Sequence, residues 1–300
     1  MGRKRKTGTV HGWVNFDKPL GMTSTQAVGK LRWLFGAGKA GHAGTLDPLA
    51  TGILPIALGE ATKTVPYMVD AVKAYDFTLT FGEDTDTWDV EGAVMATSEM
   101  RPTLAEIEAV LPEFTGEISQ IPPRYSAIKV DGQRAYDLAR AGEVVELKAR
   151  SVRIKALDIL SFETDRLALS AQCGKGTYIR SLARDLAHRL GTCGHVTMLR
   201  RTQVGAFTQE GAFSLDALEK LHYEGRVLEA LRPVETALDD IPVLAVTDQD
   251  VENLKQGREI APPSHSLPDT ERFLAMYEDK AIALCDLRDG QLRPKRVFNL

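Results

Sequence analysis

The stretch "GHAGTLDPLATGILPIALGEATK", Gly41 to Lys63, joins two unlike pieces of chain. The first is a loop of small residues with one carboxylate, Asp47, beside a proline, and a histidine, His42, shortly before it. The second, Ile53–Leu58, is an apolar run that reads as buried. Loop Asp-Pro pairs commonly serve as turn or cap residues. A single acid on a loop over a rigid scaffold is also the arrangement of a carboxylate nucleophile or base. No second acid, cysteine or serine–histidine pairing accompanies Asp47 in this stretch.

Working outward, "GWVNFDKPLGMTS" (Gly12–Ser24) reads as a strand ending in a Pro-Gly turn, after which Thr23 or Ser24 can cap a helix carrying Val28, Leu31, Leu34 and Phe35. "KAYDFTLTFG" (Lys73–Gly82) alternates and predicts a strand. "TDTWDVEG" (Thr85–Gly92) is a polar loop, and 103–110 is helical in pattern. "IPPRYSAIKVDGQRAYDLARAG" (Ile121–Gly142) predicts a strand, an Asp-Gly turn and a short helix. Two more strands are expected within 151–173. Gly174 and Gly176 then break the chain, and Thr177 can cap a helix whose apolar face is Ile179, Leu182, Leu186 and Leu190. "HVTMLRRTQVGAF" (His195–Phe207) is strand-like, and the last 60 residues show short strands with Pro-rich loops such as "APPSHSLP". Strands with interspersed helices, without strict βα alternation, predict an α+β fold with a mixed, mainly antiparallel sheet. The expected organisation is a flexible basic arm over 1–9, a main domain over 10–240 and a small mainly-β domain over 241–300.

The chain has 300 residues, 43% hydrophobic, with a net charge of −4. That balance conceals strong local fields. Residues 1–46 carry +7 and residues 173–201 carry +5, while 83–117 carries −9. Two basic blocks on a mildly acidic protein suit a surface that meets a polyanion on one side, although charge runs are also simply solvated faces. No apolar stretch approaches the roughly 18 residues of a membrane span, and no signal-peptide core follows the basic start. Cys173, Cys193 and Cys285 lack CxxC spacing and read as reduced thiols of a cytoplasmic protein.

Two motifs are false leads. "GAGKAG" (Gly36–Gly41) matches GxGxxG, but a helix precedes it and the irregular Asp47 loop follows, the reverse of a dinucleotide site. Ala40 also stands where a phosphate-binding Walker loop needs Ser or Thr. His188, Cys193 and His195 lie close together in sequence, but a tetrahedral zinc site wants a fourth ligand and none is near. No metal and no cofactor is expected.

A carboxylate that works beside a substrate must stay charged, and a neighbouring arginine favours that form. "GKGTYIR" (Gly174–Arg180) offers Arg180, with Tyr178 at the same helix start, and Tyr75 stands near the start of the strand at 73–82. Aromatic rings beside a basic surface can hold an extruded base, or can be ordinary core packing. These residues reach a family. "GWVNFDKPLGMTS", "GHAGTLDPLATGILPIALGEATK", "KAYDFTLTFGEDTDTWDVEG", "IPPRYSAIKVDGQRAYDLAR", "GKGTYIRSLARDLAHRLG" and "HVTMLRR" occur in order across roughly residues 10–205. Together they resemble the bacterial tRNA pseudouridine synthases of the TruB type, which convert uridine 55 of the T loop.

The resemblance implies a pseudouridine-synthase core with a PUA-like C-terminal domain, and a tRNA T stem-loop as partner, with no membrane and no obligatory protein partner, acting as a monomer. It implies that Asp47 is the catalytic aspartate, that Arg180 pairs with it, and that Tyr75 stacks on the flipped uracil and can take part in proton transfer. Tyr178 would help build the pocket, Leu199 would line it, and His42 would fill the stack left by the opened T loop. Lys18, Lys63 and Asp89 would sit at the RNA-facing cleft. Trp88 is bulkier than that family's pattern leads one to expect. Asp47 could act as a nucleophile at C1′ or C6, or as a base at C2′ on a glycal route. The family also includes members credited with an RNA-chaperone role. From the residues alone two other classes stay open, a non-catalytic RNA-binding module and a hydrolase of N-glycosidic bonds. The Asp47/Tyr75/Arg180 set argues against the first as the sole role, and the lack of a second carboxylate in the block argues against the other.

Overall fold

The computed structural model describes residues 10–126, 129–130, 133–134, 147–262, 267–268 and 270–300. A ten-stranded sheet forms its backbone. Its main path runs Leu231–Arg232, Gly12–Lys18, Thr51–Leu58, Gly194–Val204, Lys73–Phe81, Arg166–Cys173, Arg150–Glu163 and Gly116–Gln120. Every neighbouring pair on this path is antiparallel except Gly194–Val204 against Thr51–Leu58, which meet in parallel through Arg200 and Arg201. The fold is the α+β arrangement expected, with a mixed and mainly antiparallel sheet.

The apolar run after the Asp47 loop is a strand because both of its faces are covered. Leu54, Ile56 and Leu58 join the main core under the helices, whereas Ile53 and Ala57 join a second core on the opposite face. That second core draws in Leu274, Ala281, Leu284 and Phe298 from the C-terminal sheet. This sheet has the order Val243–Ala245, Arg272–Tyr277, Lys280–Arg288 and Gln291–Val297. Its other face buries Phe273, Ala275, Ala283 and Cys285 with Leu254 of the helix Asp248–Lys255, which the mainly-β expectation did not name. The Thr247 capping box starts that helix.

The helix Ser24–Leu34 begins at Thr23, whose side chain accepts from the Gln26 amide while the Gln26 side chain accepts from the Thr23 amide, an arrangement worth about 1 kcal/mol. It buries Ala27, Leu31 and Leu34, and Leu31→Ala would cost about 2–5 kcal/mol. The second long helix, Ile179–Arg189, buries Ile179, Leu182 and Leu186 as the 3.6-residue period demands. Its N-cap is Tyr178, not Thr177. The Thr177 hydroxyl instead donates to the Gly174 carbonyl at 3.2 Å, closing the glycine-broken turn, and the Tyr178 amide donates to Gln120 Oε1 at 2.8 Å.

The polar 85–92 stretch is the end loop of a hairpin between Glu83–Thr85 and Val94–Thr97. Lys129–Val130 pairs with Gln133–Arg134, as the expected turn there requires, but the helix expected after it and the arm at 1–9 lie outside the described residues. No helix among the described residues is long and apolar enough to cross a membrane.

Candidate active site

Asp47 stands on a loop anchored from two directions. Ser24 Oγ donates to the Leu46 carbonyl at 3.0 Å and accepts from the Leu46 amide at 2.9 Å. After the aspartate, the Pro48 carbonyl accepts from the Gly21 amide at 2.8 Å and from Lys18 Nζ at 3.3 Å. Lys18 is wholly buried and also donates to the carbonyls of Pro19 and Met22, so it staples this loop to the turn before the first helix. Burial lowers the proton affinity of the Lys18 amine to a pKa of about 8, with the Asp47 charge opposing and the Arg201 charge assisting. Lys18 is thus a buried support of the Asp47 loop.

Gly52 carries the chain from this loop into its strand. Its φ of +101° and the 2.1 Å that would separate an added Cβ from the Arg201 carbonyl oxygen both require glycine. The parallel register of Gly52 with Arg201 brings the loop to the centre of the sheet.

A cleft of about 260 Å³ opens beside Asp47. Tyr75, Tyr178, Arg180, Leu199, Lys73 and Arg201 contribute to its walls, along with the small residues Gly44, Gly174 and Gly176. Arg180 is 6% exposed and serves four acceptors. Its two terminal nitrogens reach Asp47 Oδ2 at 2.9 Å, Asp89 Oδ2 at 3.2 Å, and the carbonyls of Thr87 and Tyr125, each at 2.9 Å. The two carboxylates differ in setting. Asp89 is 12% exposed and its other oxygen accepts from Thr87 Oγ1 and the Glu91 amide, whereas Asp47 is 42% exposed and faces the cleft.

Tyr75 is buried on the cleft floor, and desolvation raises the pKa of its hydroxyl, with the nearby Arg201 guanidinium opposing. Burial likewise raises that of Tyr178, with the neighbouring Ser126 side chain opposing. His42 ends the short strand Ala40–His42, paired with Ile56, just outside the cleft lining. Burial and the Arg201 charge lower its proton affinity, and a backbone contact with Gly44 opposes them. Lys63 is not in this cleft. Its Nζ donates to the Val297 carbonyl at 2.7 Å and to Glu60 at 2.6 Å, tying the helical turn Gly59–Lys63, which follows the strand Thr51–Leu58, to the C-terminal sheet.

The residue that sequence reasoning missed is Arg201. It is 1% exposed, and its guanidinium donates to the carbonyls of Ile53 at 2.7 Å, Gly44 at 3.1 Å and Thr45 at 3.4 Å. Lys73 is the second omission. Nearly buried, it donates to the carbonyls of Val69 and Ala71, and burial together with the Arg201 charge lowers its pKa to about 8. Of the residues in the metal lead, His188 Nε2 meets Asp84 Oδ2 at 2.6 Å and His195 Nδ1 meets the Glu83 carbonyl oxygen at 2.9 Å, and among the described residues no group of three or more His, Cys, Asp or Glu is placed to hold a metal ion.

The chain as a whole has known relatives. Two family descriptions match end to end, "TruB family pseudouridylate synthase (N terminal domain)" over residues 32–179 and "tRNA pseudouridylate synthase B C-terminal domain" over 180–239. The tRNA pseudouridine synthase B of Caulobacter vibrioides is 55% identical over 309 aligned residues, spanning 100% of both chains. The chain belongs to the TruB family of tRNA pseudouridine synthases. The Rhodospirillum rubrum protein of the same name is 47% identical over 100% of both chains. Among solved structures, a Cbf5–Nop10–Gar1 complex contains a chain that aligns with a TM-score of 0.75 at 26% identity, covering 95% of this chain and 84% of that one. Membership makes this chain a pseudouridine synthase, an isomerase that acts on tRNA. The Asp47 cleft combines a partly exposed carboxylate with a buried arginine and a buried tyrosine.

Proposed function

We propose that the chain converts uridine 55 in the T loop of tRNA to pseudouridine, with Asp47 as the catalytic group. The observation that carries this reading is the Asp47–Arg180 pair at 2.9 Å, with the carboxylate open to the cleft and the arginine buried behind it. A charge held from behind in this way keeps its position while its open side meets the sugar. In the reaction the N1–C1′ bond breaks, the uracil turns, C5 bonds to C1′, the C5 proton leaves and N1, freed from the sugar, takes up a proton in its place. No atom is gained and no electron is transferred, so one carboxylate suffices as nucleophile at C1′ or C6, or as base at C2′. Tyr75 and Leu199 would receive the extruded uracil, Tyr178 would close the pocket, and His42 would occupy the stack that the base leaves. Base extrusion costs a few kcal/mol of unstacking, which stacking in the cleft and phosphate contacts to the basic blocks would offset. Asp89 would hold Arg180, and Lys18 would hold the Asp47 loop. The enzyme would act in the cytoplasm without an obligatory protein partner, recognising the T stem-loop. A tRNA-folding role would use the same cleft to open the loop without reacting.

Asp47→Asn tests the assignment. The expected outcome is unchanged T-loop RNA affinity, a thermal midpoint near that of the parent, and turnover below detection by carbodiimide mapping of tRNA. Retained modification at uridine 55, after controls for host enzyme and for deamidation back to Asp, would refute it. A tRNA-folding assay with the same variant separates the two roles, since folding assistance should persist without the carboxylate.

A further inference from the structure

We infer that Trp88 and Arg184 form a latch that positions Arg180 for the isomerisation. Trp88 lies in the loop joining the Glu83–Thr85 and Val94–Thr97 strands, and its φ is +61°. A bulky residue pays in backbone strain to sit in the left-handed region, where glycine or asparagine is at ease. The indole is held there by the Arg184 guanidinium, which stacks over the ring at 3.8 Å from its centroid. Arg184 is itself oriented by Asp185, whose Oδ1 accepts from Arg184 Nε at 2.8 Å. The Trp88 carbonyl accepts from the Val196 amide at 3.1 Å, so the loop is also pinned to the central strand.

The two residues flanking Trp88 supply two of the four acceptors of Arg180. The Thr87 carbonyl accepts from Arg180 at 2.9 Å, and Asp89 Oδ2 lies 3.2 Å from it. Arg184 follows Arg180 by one helical turn, on the same face of the helix Ile179–Arg189. The stack therefore clamps this loop against the very helix whose arginine the loop must orient. Trp88 and Arg184 are positioning residues, and the inference rests on the role proposed for Arg180 and Asp47.

Single-turnover kinetics at saturating enzyme, with separate measurement of tRNA affinity and thermal midpoint, test the latch. Trp88→Gly relieves the left-handed strain and removes the ring, so its midpoint should stay within a few degrees of the parent while the rate constant falls at least tenfold and affinity stays within threefold. Trp88→Phe keeps a ring for Arg184 and should recover most of the rate. Arg184→Ala should match Trp88→Gly, and the double variant should be no slower than either single one, because the pair acts as a unit. A rate within twofold of the parent for Trp88→Gly, or equal losses of rate and affinity, would overturn the latch. Asp47→Asn run alongside keeps the two ideas distinct. An inactive Asp47→Asn with a normal Trp88→Gly rejects only the latch, whereas an active Asp47→Asn rejects the assignment on which it rests.

Discussion

Arg201 lies directly across from Tyr75 in the antiparallel pairing of Gly194–Val204 with Lys73–Phe81, and its guanidinium ties three carbonyls around the Asp47 loop. One buried cation thus shapes both the floor and the rim of the cleft. Arg201→Met would leave those carbonyls without a charged donor and should lower stability by about 3 kcal/mol or more. Arg201→Lys keeps the charge but offers a point donor in place of a planar fork, so it should recover only part of that loss. Turnover should fall further than tRNA affinity in both variants. An unchanged urea midpoint for Arg201→Met would show that the guanidinium does not hold the loop.

How far this site was legible follows from where each side chain points. Asp47, Tyr75, Tyr178, Arg180 and Leu199 sit in distinctive short motifs, and the fold brings all five to one cleft. Arg200 and Arg201 read as two equal charges of one basic block, yet strand alternation sends them to opposite faces. Arg200 pairs outward with Asp17 at 2.8 Å while Arg201 turns into the protein. Nothing in a charge count separates them, because the separation depends on which neighbouring strand supplies free carbonyls. The sheet class was legible from alternation in Lys73–Phe81 and from the apolar run before Leu58. The depth of the C-terminal contact was not, since it needs Trp13, Phe207 and Leu284 to meet from three remote segments.

Lys63 marks the same limit, and its role can be measured. Its ammonium is taken by Val297 and Glu60, and Glu60 also accepts from the Asn299 amide at 2.8 Å. Lys63→Met should therefore lower the thermal midpoint by loosening the C-terminal sheet. The slope of log affinity for tRNA against log salt should not change. If Lys63 instead neutralised a phosphate, that slope would shrink by about 0.7–0.9.

Lys18 gives a dependence on pH. Its folded pKa of about 8 lies below the value of 10.5 expected when the chain is unfolded. Between those values the unfolded chain binds more protons, so this group's contribution to stability rises with pH and is lost as pH falls from 10.5 toward 8. Buried thiols and tyrosines have the opposite sign: burial pushes Cys173 up to about 11, and it therefore opposes unfolding less as pH rises. The comparison must accordingly be made between variants. The stability advantage of the parent over Lys18→Met should widen from pH 8 to pH 10. A constant difference in urea midpoints across that range would show that Lys18 titrates alike in both states.

Arg180 bridges two carboxylates that differ in exposure, and this difference predicts two separable consequences of removing it. Asp89 is 12% exposed and Asp47 is 42% exposed. Arg180→Met leaves both without their guanidinium, but only the buried one pays heavily, because water can still reach Asp47. The expected stability loss is about 3–5 kcal/mol, arising mainly at Asp89. Adding Asp89→Asn to Arg180→Met removes the stranded buried charge and should restore a good part of the lost stability, with the amide still able to accept from Thr87 and the Glu91 amide. Adding Asp47→Asn to Arg180→Met should restore little, since that charge was already solvated. Turnover should follow the other pattern. It should be crippled in Arg180→Met and should not return with Asp89→Asn, because recovering the fold does not restore the orientation of Asp47. Equilibrium unfolding and single-turnover kinetics on the three proteins decide the matter. Equal stability recovery by both asparagine variants would mean that exposure does not set the cost, and recovered turnover in Arg180→Met/Asp89→Asn would mean that Arg180 serves the fold alone.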